Sequence, residues 1–240
     1  MKKLLIPFLM LMGLNLNAQI LKSIKGDGNL KTEVREVSGF TSLSSRGSIE
    51  VQINYGNTNN IKVEADENLL PYIETTVDDG TLLVQFKKNL NLKPRSKMVV
   101  YVSMNKIKNL QLSGSGNING TGEFGSDEQT KVNISGSGNI NLNSVSFKDA
   151  ELNISGSGNI ELKKGNVENL KASVSGSGNI DCSGVTSQNV VVKISGSGNA
   201  SVNVNKDLSA SINGSGNVYY KGKATNITTK VAGSGKAIRM

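Results

Sequence analysis

Three pairs of adjacent acidic residues are the side chains of this sequence whose type and spacing could support a reaction: Asp66-Glu67, Asp78-Asp79 and Asp127-Glu128. Two carboxylates can share the acid and base steps of glycoside hydrolysis. However, all three pairs lie in polar, turn-like segments, where acidic residues are ordinary. Adjacent residues of a strand also point to opposite faces. We therefore expect no catalytic residue among them, and predict that the protein is not an enzyme.

Other reactive side chains are scarce in the 240 residues, which contain no His and a single Cys. Histidine is the commonest general base and metal ligand, so its absence removes most hydrolytic triads and metal centres. Cys182 has no partner for an internal disulfide, and its strand-like surroundings predict a buried thiol. The sequence therefore predicts neither a metal site nor a cofactor.

A glycine-rich tetrapeptide, GSGN, occurs six times, and the variant GSGK follows at 233–236. Successive copies begin 18 to 22 residues apart. Glycine-rich turns bind phosphate when a lysine and a helix start follow, and calcium when they contain Asp. The polar residues here are uncharged, so we interpret the turns as structural. The predicted ladder of turn residues is Gly114, Gly116, Asn117, Gly136, Gly138, Asn139, Gly156, Gly158, Asn159, Gly176, Gly178, Asn179, Gly196, Gly198, Asn199, Gly214, Gly216 and Asn217.

The segments around each turn show which elements must position these residues. Val132 and Ile134 alternate with polar residues before one turn, and Ile140 and Leu142 alternate after it. Period-two alternation indicates half-buried strands. Strand, corner, strand and polar loop then repeat about every twenty residues, which is typical of stacked coils. The sequence therefore predicts an all-β parallel solenoid, whose thin core needs few aromatic side chains.

The composition of the corner has a physical explanation. Glycine adopts positive φ without steric cost, and asparagine tolerates the left-handed region better than most residues. When coils stack, equivalent residues lie about 4.8 Å apart, so ladders of serine and asparagine form along the corner. Stacked asparagine amides can bond one another and the turn backbone.

The N-terminal half lacks the tetrapeptide but keeps the strand pattern, as in Ile49, Val51 and Ile53. Asp78-Asp79-Gly80 is a hairpin turn signal. Residues 67–72 are the candidate for a short helical turn, and residues 89–97 are predicted to form a protruding loop. We expect this half to be a less regular β region that caps the stack.

The first residues are typical of a secretory signal: Lys2 and Lys3 precede an apolar stretch, and Ala18 precedes the predicted cut. Cleavage lowers the net charge from +8 to +6. We predict a signal peptide at 1–18, a lead segment at 19–38 and one domain at 39–238, divided into irregular coils (39–109) and repeat coils (110–238). No transmembrane segment is expected after cleavage, and the protein is predicted to be periplasmic, on the outer cell surface or secreted.

Three sequence stretches together resemble a known family: GSIEVQINYGNTNNIKVEADENLLPYIETTV, DDGTLLVQF and the repeated SGSGNI. They are similar to the auto-transporter adhesin head GIN domain family, and the similarity covers about residues 39–238. The resemblance implies a right-handed β-helix-like solenoid and an envelope or surface location. It supplies no catalytic residues.

We therefore predict an exported, non-catalytic scaffold that binds an envelope glycan or a surface protein. Nucleic-acid binding is not expected, because the charge is modest and aromatic residues are few. Two alternatives stay open. One is a carbohydrate-active β-helix enzyme, with Tyr219, Tyr220 and Lys221 as a sugar-stacking surface. The other is a self-assembling fibre subunit, although basic residues near the C-terminus are expected to discourage end-to-end stacking.

Overall fold

The structure is a computed structural model that describes residues 22–57 and 60–240. The predicted signal peptide at 1–18 lies outside the described residues. Strands account for 75% of the chain and form a β-solenoid of about 7 turns, which confirms the predicted fold class. Among the described residues, no helix is long and apolar enough to cross a bilayer.

The N-terminal half contains short strands and one 3₁₀ helix. In chain order these are β1 (Lys22–Lys25), β2 (Leu30–Glu36), β3 (Ser42–Gly47), β4 (Glu50–Tyr55), β5 (Asn60–Asp66), the 3₁₀ helix (Glu67–Tyr72), β6 (Ile73–Asp78), β7 (Thr81–Phe86), β8 (Leu90–Lys93) and β9 (Val99–Met104).

The repeat half contains longer strands, because pairing continues around the bends of each coil. These are β10 (Asn109–Gly114), β11 (Asn117–Gly136), β12 (Asn139–Gly156), β13 (Asn159–Leu162), β14 (Gly165–Gly176), β15 (Asn179–Gly196), β16 (Asn199–Gly214), β17 (Asn217–Lys221), β18 (Asn226–Gly233) and β19 (Lys236–Arg239).

Coils of the repeat half stack in parallel and in register at the corners. Ile118, Ile140 and Ile160 pair in sequence across three coils, and all are buried. Inward side chains of one coil therefore lie on the equivalent side chains of the next. A thin aliphatic core results, and Phe124 and Phe147 are its largest fully buried side chains. This core explains why so few aromatic residues suffice.

Each coil contributes one strand that enters the corner and one that leaves it. The entering strands form a sheet that begins with β6 and β7, continues through β3 and β10, and ends with β18. The leaving strands form a sheet that begins with β2 and β5, continues through β9 and β4, and ends with β19. We call these the entering sheet and the leaving sheet.

The N-terminal end is closed by the 3₁₀ helix, which confirms the predicted helical turn and buries Leu69 and Leu70. The hairpin turn predicted at Asp78-Asp79-Gly80 is confirmed, since β6 and β7 pair antiparallel across it. The edge strand β2 carries charged residues opposite buried positions of β5. Inward charges on an edge strand discourage further pairing, so this end is protected.

The prediction of a protruding loop at residues 89–97 is wrong, because this segment contains β8. Lys22 pairs with Leu90 in a parallel ladder, so β1 and β8 form a separate two-stranded sheet. The partner strand lies in the N-terminal lead segment, far away along the chain. A local pattern could not reveal that pairing.

Asp66 holds this small sheet against the solenoid. Its Oδ2 accepts hydrogen bonds from the backbone amides of Arg95 at 2.7 Å and Ser96 at 3.3 Å, and the side chain is fully buried. Burial acts to raise the pKa of the Asp66 carboxyl, but hydrogen bonds from Arg95, Ser96 and Gly28 outweigh it and hold that pKa below its ordinary value. The ionised form is therefore the one that the fold favours.

This lowered pKa predicts a pH-dependent stability. The unfolded carboxyl has a pKa of about 3.9, so the contribution of Asp66 is complete above that value and is lost as pH falls through the lower folded pKa. Denaturant unfolding between neutral pH and about pH 3 measures this loss. The Asp66→Asn variant should show a smaller decrease than the native chain. The matched control is Asp79→Asn in the exposed turn, and equal pH slopes in both variants would contradict the assignment.

Candidate binding face along the coils

The first glycine of each corner has a positive φ, and at Gly176 it is +125°. The backbone amides of Ser177 and Gly178 both donate to the carbonyl of Gly156 in the coil below, at 2.9 and 3.1 Å. Two amides thus share one carbonyl, and the corner backbones are drawn together. The same pattern recurs along the stack, so this close approach is a property of the repeat.

The second glycine of each corner is needed for space. A Cβ at Gly178 would lie 2.2 Å from the carbonyl oxygen of Gly158 and 2.8 Å from Cγ2 of Ile154. Both distances are shorter than real Cβ contacts, so any side chain here would push two coils apart. The two glycines are therefore needed for different reasons. The first allows a positive φ, and the second leaves room for the neighbouring coil.

Sequence reasoning missed one corner, which lies in the N-terminal half at Gly47. This residue has a φ of +99° and pairs with Gly114. Its carbonyl accepts from the amides of Ser115 at 3.0 Å and Gly116 at 2.9 Å. The available signal was the Gly47-Ser48 dipeptide before the alternating residues of β4. The last two corner residues are Ile49 and Glu50 instead of Gly and Asn, which hid the match.

The corner asparagines form a continuous ladder. In each step the Nδ2 of one asparagine donates to the Oδ1 of the asparagine in the coil below. The distances are 2.9 Å for Asn139 to Asn117, 2.8 Å for Asn159 to Asn139, 3.0 Å for Asn179 to Asn159, 3.0 Å for Asn199 to Asn179 and 3.4 Å for Asn217 to Asn199. Such a ladder fixes the vertical register of the coils.

Replacing an asparagine in the middle of the corner ladder should lower the stability of the protein more than replacing an exposed asparagine. Asn159→Ala removes one donated and one accepted hydrogen bond of a half-buried amide, so we expect the free energy of unfolding to fall by about 1–3 kcal/mol. The control Asn143→Ala changes an exposed residue of the same type. Chemical denaturation of both variants checks this, and losses of equal size would show that the ladder contributes nothing.

A second amide column lies on the opposite end of the entering strands, and sequence reasoning missed it. Asn169 donates to Asp149 at 2.8 Å, and Asn189 donates to Asn169 at 2.8 Å. Near the end of the stack Asn226 donates to Asp207 at 2.7 Å. The signal was the Asp or Asn that recurs seven residues before the first glycine of these corners.

The outer surface of the entering sheet carries two columns of exposed serine hydroxyls. One column precedes the corner and the other lies within it: Ser135, Ser155, Ser175 and Ser195, and then Ser137, Ser157, Ser177 and Ser197. A shallow groove of about 610 Å³ lies between the first of these columns and a neighbouring column of side chains on the same sheet. The neighbouring column consists of Asn133, Asn153, Ser173 and Lys193.

We call this depression the serine groove. Its remaining lining includes the buried residues Ile134, Ile154, Val174 and Ile194. Lys193 is the one charged residue of the lining. Because every coil adds a hydroxyl or an amide at the same height, the groove offers polar groups repeated at about the rung spacing of 4.8 Å. Its accessible surface is mainly apolar, with hydroxyls and amides along its sides, so it suits an extended, uncharged chain that packs on it and forms hydrogen bonds at its edges.

The acidic pairs are not brought to this groove. The Asp66 carboxylate is enclosed, and Glu67 forms an ion pair with Lys31. Asp78 and Asp79 are exposed at the hairpin turn. Asp127 and Glu128 line a separate cleft of about 590 Å³, which Lys106 and Lys108 also line.

The remaining side chains with possible chemistry have structural positions. Cys182 is fully buried, as predicted, and burial raises the pKa of its thiol. Tyr219 is half-buried on the leaving sheet, and Tyr220 packs against the core. Within residues 22–57 and 60–240, no cluster of three or more His, Cys, Asp or Glu side chains is arranged to hold a metal ion.

Comparison with known proteins gives one family match. The family model described as "Putative auto-transporter adhesin, head GIN domain" matches residues 39–224, which is most of the chain. No curated protein is detectably similar to the sequence.

Several solved bacterial structures share this fold. A "putative adhesin" from Bacteroides fragilis aligns with 90% of this chain and 100% of its own, at 20% identity and a TM-score of 0.83. A "putative adhesin" from Parabacteroides merdae is 29% identical over 91% of this chain and 99% of its own, with a TM-score of 0.70. A "Putative lipid binding protein" from Parabacteroides distasonis is 28% identical over 91% and 100%, with a TM-score of 0.71.

Proposed function

The chain belongs to the family described as "Putative auto-transporter adhesin, head GIN domain", and from this premise we propose that it is an exported, non-catalytic binding scaffold of the cell envelope. Its ligand is an extended, uncharged envelope glycan that lies along the serine groove. The leader at 1–18 directs export, and residues 39–238 act as one rigid unit at the outer cell surface.

The serine groove is the observation that carries this proposal. Exposed hydroxyls and amides repeat at the same height in successive coils, and one lining residue is charged. Hydroxyls and amides both donate and accept, as the hydroxyl groups of a glycan do. A long glycan would therefore meet equivalent partners on every coil, and its affinity would grow with the number of coils that it spans.

The corner ladders support the proposal because they make the groove rigid. The backbone of each corner is bonded to the corner below, for example from Ser177 to Gly156. A binding face that is already ordered loses little conformational entropy when it takes up a ligand. Weak hydrogen bonds repeated over several coils can then give useful affinity.

Binding of polysaccharide from the producing cells tests the proposal. Purified native chain should bind the deproteinised polysaccharide fraction, measured by affinity electrophoresis. The double variant Ser155→Glu and Ser175→Glu places two charges in the groove. We expect its affinity for the polysaccharide to be lower than that of the native chain by a factor of about ten or more. The matched control is Ser183→Glu and Ser201→Glu on the leaving sheet, which should bind like the native chain.

Other outcomes would overturn parts of the proposal. Equal binding by the groove variant and the control would place the glycan elsewhere. Binding that disappears only when the extract is deproteinised would replace the glycan with a surface protein. Release of reducing sugar during incubation would favour the alternative of a carbohydrate-active enzyme, in which case the non-catalytic assignment fails.

A further inference from the structure

The serine groove crosses successive coils and has a similar cross-section on each of them. Its lining residues come from β10, β11, β12, β14, β15 and β16, which pair in register along the stack. On the coil of β12, Asn153 and Ser155 form the two walls, and Ile154 lines the bottom between them. Each such coil therefore adds one rung, which consists of two polar walls and an apolar bottom.

Two spacings define the shape of a ligand that uses every rung. Along the stack, successive rungs are about 4.8 Å apart, because they are neighbouring hydrogen-bonded strands. Across the groove, the two walls are two residues apart on one strand, which is about 6.6 Å. A matching ligand must therefore be a flat chain that repeats at the strand spacing, with apolar faces and polar edges.

A pyranose chain linked through equatorial bonds at C1 and C4 has this form. Its rings form a ribbon, with C–H bonds on the two faces and hydroxyls at the two edges. Each ring advances the chain by about its own length, which nearly equals the rung spacing. The C–H faces would then lie on the groove bottom, and the hydroxyls at both edges would meet walls such as Asn153 and Ser155.

Other extended chains match the groove less well. A polypeptide strand advances by about 3.4 Å per residue, so its polar groups would fall out of step with the rungs. Glycans with axial linkages coil, and a coiled chain cannot follow a straight groove. A glycan with an anionic group on every sugar would need a cation on every rung, whereas the described lining contains one, Lys193.

Two amides of the groove wall are oriented before a ligand arrives. The Nδ2 of Asn133 donates to Oδ1 of Asn109 at 3.1 Å, and the Nδ2 of Asn153 donates to Oδ1 of Asn133 at 3.0 Å. Asn133 keeps one N–H and one lone pair for a ligand, and Asn153 keeps both lone pairs of its Oδ1. Side chains that are already ordered lose little entropy on binding.

We propose that the serine groove binds an uncharged, equatorially 1,4-linked pyranose chain with one sugar on each coil. This inference rests on the proposed function, because it specifies the glycan that the groove takes up. The coils of β11, β12, β14, β15 and β16 contribute both walls, whereas β10 contributes Gln111 alone. The affinity should therefore rise with each sugar up to the pentasaccharide and then reach a plateau.

Titration of the exported chain with short oligosaccharides, followed by nuclear magnetic resonance, tests this inference. The probes are β-1,4-linked oligomers of glucose, xylose and N-acetylglucosamine, from the disaccharide to the hexasaccharide. For at least one series, each added sugar up to the pentasaccharide should raise the affinity roughly threefold or more, as expected for one or two new hydrogen bonds. The α-1,4-linked glucose pentasaccharide, which coils, should bind more weakly by a factor of about ten or more.

Shortening the groove by one rung sharpens the test. Ser211→Ala with Asn213→Ala removes the polar walls of the last rung, so the plateau should move to the tetrasaccharide. The matched control is Ser201→Ala with Asn203→Ala, which changes the same residue types at the same spacing on the leaving sheet and should keep the plateau at the pentasaccharide. Deletion of residues 159–178 removes the rung of β14 and should also move the plateau to the tetrasaccharide.

The position of the plateau separates the possible results. A plateau that moves in the last-rung variant and stays in the control would support one sugar on each coil. An unchanged plateau in that variant would overturn the inference, as would equal affinity for the α-1,4-linked pentasaccharide. If the native polysaccharide binds in the serine groove and none of the β-1,4 oligomers binds, the inference fails and the proposed function stands. If the polysaccharide does not bind in the groove, both fail.

Discussion

Replacing Gly176 with alanine is expected to lower the free energy of unfolding by about 3 kcal/mol or more, the largest effect of any single substitution proposed for this chain. Its φ is +125°, a conformation that residues with a Cβ rarely adopt, and a Cβ there would lie 2.3 Å from the carbonyl oxygen of Gly156. The backbone cannot easily retreat, because Ser177 and Gly178 both donate to that same oxygen.

Gly125→Ala is the matched control for this substitution. A Cβ at Gly125 would meet the carbonyl oxygen of Ser146 at 3.6 Å, an ordinary contact, and its φ is not positive. We expect a change of at most about 1 kcal/mol. Urea unfolding followed by circular dichroism measures both variants. If Gly176→Ala and Gly125→Ala lose equal stability, the close approach of the corners does not hold the stack together.

Removal of one whole coil is expected to leave a folded protein, whereas removal of half a coil is expected to prevent folding. Deleting residues 159–178 joins Gly158 to Asn179, and Asn179 then takes the place of Asn159 above Asn139. Each coil contacts mainly its neighbours, so the shortened chain keeps equivalent contacts on both sides of the junction. It should unfold cooperatively at a somewhat lower denaturant concentration.

The half-coil deletion begins at the same residue but removes only residues 159–168, which joins Gly158 to Asn169. Asn169, which bonds Asp149 on an entering strand, would then follow the corner and occupy a leaving strand. Entering and leaving strands would exchange positions for the rest of the chain, and every ladder above the junction would be misaligned. Far-ultraviolet circular dichroism and gel filtration distinguish the two deletions. A folded half-coil deletion would contradict the stacked register.

The repeat half could be predicted from sequence because the same coil motif recurs at a nearly constant interval along the chain. The corners were visible as GSGN, and the alternation around Ile134 and Ile140 identified the flanking strands. The same reasoning placed Cys182 in the core, since it lies at an apolar position of a strand. In a solenoid each coil makes mostly neighbouring contacts, so local sequence carries most of the fold.

The N-terminal half could be predicted only in outline, because its pairings are distant along the chain. Gly47 pairs with Gly114, and β1 pairs with β8. After forming β3 and β4 the chain builds the layers beneath them and then returns to place β10 above β3. No local pattern specifies such a path, which explains the wrong loop prediction at 89–97.

The serine groove and the open C-terminal coil depend on stacking rather than on local pattern. Ser155 and Ser175 are ordinary turn-flanking serines until successive coils align them into a column. Likewise Val231 follows the same alternation as Ile212, but it is exposed because no further coil covers it within residues 22–57 and 60–240. The alternation of apolar and polar residues identifies which side chains point inward. Whether such a side chain is buried depends on the neighbouring coil in the stack.

Surface labelling of intact cells tests the proposed role most directly. Ser155→Cys places one exposed thiol in the serine groove, while the native Cys182 is fully buried and provides an unreactive background. Cells that produce this variant are treated with a maleimide that does not cross membranes, before and after the outer membrane is permeabilised. A surface scaffold predicts labelling of Ser155→Cys on intact cells and none of the native chain. Labelling of the variant only after permeabilisation would place the groove inside the envelope and contradict the account.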